Sequence, residues 1–128
     1  MPAPLRMGLP AVAASLATVR RFLREWLPRS GLGPVEVEDV VLAVSEACTN
    51  AVEHGYRDRP GTVFVEAEAT ESDIHILVRD RGRWVPPHPE VNSLRGRGLA
   101  LMRALVPKVT VHTGNSGTSV ELWVPLPG

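Results

Sequence analysis

Apolar residues recur at two periods along the chain, and the switches between those periods outline its elements. Leu5, Met7 and Leu9 alternate among prolines, which predicts a short edge strand within residues 2–9. From Ala11 to Leu27 the step becomes three and four, with Leu16, Val19, Leu23 and Leu27 on one helix face and Arg20, Arg21, Arg24 and Glu25 opposite. Pro28 and the run Ser30-Gly31-Leu32-Gly33-Pro34 end that helix. A second helix is predicted from Val35 to Tyr56, with Val37, Val40, Val41, Val44, Cys48, Ala51 and Val52 as its apolar stripe. The period then falls to two. Val63, Val65, Ala67 and Ala69 face one way and Glu66 and Glu68 the other, and after a turn at Glu71-Ser72 Ile74, Ile76 and Val78 face inward with His75 and Arg79 outward, which predicts an antiparallel hairpin with one solvated face.

Residues 84–94 hold Pro86, Pro87 and Pro89 and little periodicity, so they read as a loop of the kind that serves as a lid. Beyond Arg95-Gly96-Arg97-Gly98 a short helix is predicted, with Leu99, Met102 and Leu105 on one face. Val109 and Val111, a four-residue loop at 114–117, and Val120, Leu122 and Val124 make a second hairpin, with Trp123 outward. Helices and hairpins in runs, without alternation of strand and helix, predict an α+β fold: a two-layer α/β sandwich with a mixed, mainly antiparallel sheet covered on one face by three helices.

Composition narrows the class further. The 128 residues fit a single domain spanning 1–128. Fourteen basic and fourteen acidic residues cancel, so bulk charge gives no reason to expect nucleic acid or a membrane as partner. Cys48 is the only cysteine, which excludes an intramolecular disulfide and fits a reducing cytoplasm; as part of the apolar stripe it reads as a core residue. No secretory leader pattern and no apolar run near ~18 residues is present, so a cytoplasmic protein is expected.

Several positions bear on chemistry. Glu46 and Asn50 lie one turn apart on the second helix, so they project from one side, off the main stripe and beside Leu42, Ala43 and Ala47. Such a pair can serve one ligand, the carboxylate handling a proton and the amide oxygen a hard cation; a solvated helix face is the competing reading. Asp80 keeps the parity of Ile74, Ile76 and Val78, so its carboxylate points to the core side, where either a turn or a ligand supplies its donor. Gly82 lets the chain turn or be approached closely. Gly96 and Gly98 at a helix start suit phosphate, with Arg95 or Arg97 adding charge, or else form a flexible turn. Thr118 shares the inward parity of Val120. His75 falls on the polar face and is expected to be solvated, and Arg20, Arg21 and Arg24 form either a solvated face or a partner surface.

Taken together these motifs carry a family resemblance. Glu46-x-x-Thr49-Asn50-Ala51-x-x-His54-Gly55 resembles the N motif of the Bergerat-fold (GHKL, or HATPase_c) ATPases, Asp80-x-Gly82 their adenine motif, and Gly96-x-Gly98-Leu99 with Gly117-Thr118 their phosphate-binding segment. Trp84 stands where the pattern has a second glycine. The resemblance covers nearly the whole chain and is strongest to the bacterial anti-sigma factor serine/threonine-protein kinases. It implies a Bergerat ATP-binding fold and ATP with Mg²⁺ as cofactors. It also implies Asn50 as Mg²⁺ ligand, Glu46 as general base, Asp80 as acceptor for the adenine amine with Thr118 supporting it or a bridging water, and Gly82 as the point of close approach. Arg95, Gly96, Arg97, Gly98 and Leu99 would line the phosphates, under a lid at about 83–95. The implied activity is transfer of phosphate to a STAS-type anti-sigma factor antagonist, in a protein that also holds a sigma factor; a homodimer is compatible with it. The alternative is a non-catalytic ATP-binding switch for a protein partner.

Overall fold

The computed structural model describes residues 1–55, 61–81, 99–114 and 116–127. Strand β1 (Leu5–Pro10) leads into helix α1 (Ala14–Trp26), a 3₁₀ turn (Leu27–Ser30) and helix α2 (Pro34–Asn50), which runs on as a π-helical turn (Ala51–Gly55). Strands β2 (Thr62–Ala69) and β3 (Asp73–Asp80) follow, then a helix α3 whose described part is 99–105, and strands β4 (Lys108–Gly114) and β5 (Gly117–Pro125).

The five strands form one sheet in the order β1-β2-β3-β5-β4. All its described pairings are antiparallel, where the sequence left room for a mixed sheet. Strict parity holds along it. Val63, Val65, Ala67, Ile74, Ile76, Val78, Val120, Leu122 and Val124 are buried against the helices, and Leu5, Met7 and Leu9 pack at the edge of the same core. Each fully buried side chain of this size contributes roughly 1.5–3 kcal/mol of transfer free energy, so the register is fixed by the face it buries. The second hairpin is tighter than expected: Gly114 pairs with Gly117, so two positions, not four, connect β4 to β5.

The helical layer departs from expectation in its details. Helix α1 begins three residues later than its apolar period suggests, and its last residue, Trp26, is a core residue 5% exposed. The indole N–H of Trp26 donates to the Ala3 carbonyl at 2.7 Å, which ties the N-terminal segment to the helix. Gly31 closes the 3₁₀ turn at φ +102°, a conformation that favours glycine. Pro34 then opens α2 at its first turn, where no amide donor is missed. The buried face of α2 is wider than one stripe. Ala43, Ser45 and Ala47 are buried along with Val37, Val40, Val41, Val44 and Cys48, so the small residues off the main stripe are part of the core, while Leu42 is exposed. A helix wedged between a neighbouring helix and a sheet needs apolar or small residues on both flanks, and alanine lets the backbone approach closely. Met102 of α3 and Val106 just after it are buried in the same core.

Candidate functional site

A cavity of about 300 Å³ opens between the helices and the β3–β5–β4 half of the sheet. Its described lining comes from every layer. Ala47, Asn50 and Ala51 come from the C-terminal end of α2 and its π turn, Leu99 and Met102 from α3, and Val78, Asp80, Val111, Thr113, Thr118 and Val120 from the sheet.

Strand register builds the floor of this cavity. Val78 faces Val120, and Val120 faces Val111, giving one apolar row across three strands. One step further along, Asp80 faces Thr118 and Thr118 faces Thr113, giving a polar row at the same depth of the sheet. Seven of the eleven described lining residues are apolar, so the cavity is a greasy slot with polar groups confined to Asn50 and the Asp80–Thr118–Thr113 row. That division suits a flat heteroaromatic ring: the valine row and Met102 take its faces, and a carboxylate takes an exocyclic amine at its edge.

Asp80 is only 6% exposed, as its parity predicts. The end of β5 is packed hard against it, since a Cβ at Gly117 would overlap the Asp80 carbonyl oxygen and lie 2.9 Å from the Arg81 Cα. Gly117 has φ +136°, so the Gly-Thr pair is needed for its glycine as much as for its threonine. Asn50 owes its place to the end of α2. It is the last α-helical residue; the next amide, of Ala51, is shared between the Ala47 and Cys48 carbonyls, and the π turn follows from Ala51 to Gly55. Such widenings redirect side chains and occur often at functional sites. The π turn has no signature in the apolar period, which predicts an α-helix continuing to Tyr56, a residue outside the described set.

Of the residues singled out from sequence, Asn50, Asp80, Leu99 and Thr118 meet in the cavity. Glu46 lies one turn before Asn50, half-buried, and is not among the described lining residues. Gly82, Arg95, Gly96, Arg97 and Gly98, with the lid at about 83–95, lie outside the described residues. Thr113 was missed, although the parity of Val109 and Val111 extends to it by the reasoning that picked out Thr118.

Electrostatics on the rest of α2 favour structure over chemistry. Burial pushes the Cys48 thiol up to about 12, against a smaller opposing pull from Arg20, so it stays protonated and inert. The Arg20 Nε–H donates to Ser45 Oγ at 3.0 Å, and that hydroxyl donates to the Val41 carbonyl at 2.8 Å, which pins α1 to α2. On the far side of the sheet His75 is not simply solvated. Its ring stacks on Trp123 with centroids 3.9 Å apart, and its Nε2 is buried without a hydrogen-bond partner among the described residues.

The model of the histidine kinase-like ATPase domain matches residues 9–123. Serine-protein kinase RsbW of Bacillus velezensis is 34% identical over 97% of this chain and 86% of its own length, and RsbW of Staphylococcus aureus is 31% identical over 92% and 84%. Among solved structures, the RsbU and RsbW domains of Rv1364c from Mycobacterium tuberculosis superpose with a TM-score of 0.79 at 34% identity, covering 99% of this chain and about a third (34%) of that one. The blue-light activated histidine kinase EL346 of Erythrobacter litoralis follows with a TM-score of 0.62 at 25% identity, over 88% of this chain and 41% of that one. An apolar slot edged by Asp80 and Thr118, reached by Asn50 from the end of α2, lies within a match that runs nearly the full length of the chain, and the chain belongs to the histidine kinase-like ATPase domain family.

Proposed function

We propose that this chain is an ATP-dependent serine/threonine-protein kinase that acts as an anti-sigma regulatory factor, with a STAS-type anti-sigma factor antagonist as its phosphate acceptor. The observation that carries the reading is the meeting of Asn50, Asp80 and Thr118 at one apolar cavity, in a chain whose relatives over nearly its whole length are serine-protein kinases. Asp80 accepts from the adenine amine, with Thr118 supporting it at the polar end of the slot. By the family resemblance Arg95, Gly96, Arg97, Gly98 and Leu99 would receive the phosphates, Gly82 would admit the base and residues 83–95 would serve as the lid.

Asn50 offers an amide oxygen to Mg²⁺. Among the described residues no three His, Cys, Asp or Glu side chains gather as a metal cage. A Mg²⁺ ion here would draw its other ligands from phosphate and water, as is usual for nucleotide sites. In the transfer step the bond from the γ-phosphorus to the β,γ-bridging oxygen breaks and a bond to the acceptor hydroxyl oxygen forms. ADP leaves, and the hydroxyl proton passes to the Glu46 carboxylate. The protein's work is to position and to neutralise charge. A sigma factor is the second partner in this reading, with a homodimer as the compatible assembly and the cytoplasm as the compartment. No described helix is long and apolar enough to cross a membrane.

One observation favours the non-catalytic switch instead: Glu46 is not among the described residues that line the cavity. Labelled ATP with a STAS-type antagonist separates the two readings. Transfer to the antagonist that Glu46→Gln abolishes, with ATP affinity kept, supports the kinase. ATP binding without transfer to the antagonist supports the switch, and lack of ATP binding removes both.

A further inference from the structure

The residues that end β3 divide between the two faces of the sheet. Asp80 points into the cavity, whereas Arg79 and Arg81 reach across the opposite face. There both guanidinium groups stand 5.3 Å from the centroid of a single ring, that of Phe64 on β2. Phe64 pairs with Arg79 in the ladder, and the adjacent Val63 pairs with Asp80, so the ring lies directly behind the backbone that carries the carboxylate. Room for the ring comes from Gly8 on β1, where a Cβ would approach Phe64 Cε1 to 3.3 Å. The Arg79 Nε is buried without a hydrogen-bond partner among the described residues, so the π face of Phe64 is the favourable contact that accompanies its burial.

Val63–Asp80 is the last described pair between β2 and β3, and on the other side of β3 Asp80 pairs with Thr118 and packs against Gly117. A strand end opens locally unless it is fixed on both sides, and on the β2 side the contact at this point is the ring of Phe64. We infer that Phe64, gripped by Arg79 and Arg81, is a positioning residue: it fixes the end of β3 from behind and so sets the orientation in which the Asp80 carboxylate meets the nucleobase. This inference rests on the reading of the cavity as an ATP site.

Calorimetric titration of the full chain with ATP and, separately, with inorganic tripolyphosphate tests it. Tripolyphosphate has no base for Asp80 to meet. Phe64→Leu keeps an apolar side chain but removes the ring, and it is expected to weaken ATP binding roughly fivefold to thirtyfold, the combined strength of two cation–π contacts, with tripolyphosphate unchanged. Phe64→Tyr restores ATP affinity to within about twofold of the parent, because the π face returns. Gly8→Ala displaces the ring without removing it and gives a smaller loss of the same kind, so the test survives if Phe64→Leu fails to fold. In an Asp80→Asn background, Phe64→Leu adds no further loss, because the two act through one contact. Independent, additive losses with Asp80→Asn itself impaired, or equal losses for ATP and tripolyphosphate, overturn the positioning role alone. An Asp80→Asn variant that binds ATP normally overturns the cavity reading, and this inference with it.

Discussion

Gly117 of β5 lies against the carbonyl of Asp80 in β3 more closely than any side chain would allow, and does so at φ +136°. The contact locks together the two strand ends that carry Asp80 and Thr118. Gly117→Ala introduces both a clash with the backbone and a strained φ, and should destabilise the fold by at least about 2 kcal/mol. Gly114 is the built-in control, since it faces Gly117 across the hairpin, has open space around it and no positive φ. Denaturant unfolding of both variants, with ATP titration, makes the comparison. Equal, small effects would mean that the close approach does not matter.

The two threonines of the polar row should not be equivalent. Thr118 is half-buried between Asp80 and Thr113, whereas Thr113 is exposed on the edge strand β4. A hydroxyl screened from water is worth more to a ligand than one that water can replace. Thr118→Val should therefore weaken ATP binding by about threefold to tenfold, the range of one neutral hydrogen bond, and Thr113→Val by less. Valine keeps the shape of threonine, so melting temperatures should hardly move. A larger loss at Thr113 would reverse the assignment of the inner end of the slot.

How much of this was legible in the chain depends on how strictly each element's period dictates a side. In strands the period is two, so one inward residue fixes all the others. That is why the burial of Asp80 beside Val78 followed from counting alone. In helices the buried arc is broad, and its width depends on what packs there, which the sequence does not state. Ala43 and Ala47 lie off the main stripe of α2 and are nevertheless core, at 0% and 2% exposed, whereas Leu42 beside them is exposed. The π turn after Asn50 has no compositional signature, and the His75–Trp123 stack depends on cross-strand pairing that parity places on one face but does not join. Phe64, Arg79 and Arg81 were passed over for a related reason: their meeting is a matter of register between strands.

Two polar contacts between α1 and α2 look alike on paper and should differ in stability experiments. Arg24 makes a two-pronged contact with Glu38, Nε to Oε2 and Nη2 to Oε1, each at 3.1 Å. The two side chains are 51% and 58% exposed, so water and salt screen the pair. Glu38→Gln should cost no more than about 0.5–1 kcal/mol and nothing measurable at ~0.5 M salt. Ser45, by contrast, is 4% exposed and engages both Arg20 and the Val41 carbonyl. Ser45→Ala leaves the buried side of that guanidinium without its acceptor and should cost about 1–3 kcal/mol, independent of salt. Urea unfolding of the two variants at low and high salt checks the order, and a larger or salt-insensitive loss for Glu38→Gln would invert it.

Cys48 supplies a pH dependence whose sign can be worked out. Its thiol is 1% exposed and held up to about 12 by burial, against an ordinary value of 9.0. Below pH 9 the thiol is protonated in both folded and unfolded chains, so it leaves stability unchanged with pH. Between pH 9 and about 12 the unfolded chain loses the proton while the folded chain keeps it. The folded state then binds more protons than the unfolded state, and stability must fall as pH rises through that window. Cys48→Ala removes this contribution, although it lowers stability overall by emptying part of the core. The expected outcome is therefore a gap between parent and variant that narrows steadily from pH 9 to pH 10.5 in urea unfolding. At pH 8 the same burial should keep a thiol-reactive dye from labelling the folded protein, while the unfolded chain reacts at once. A gap that stays constant with pH, together with rapid labelling of the folded chain, would mean that the thiol is open to water.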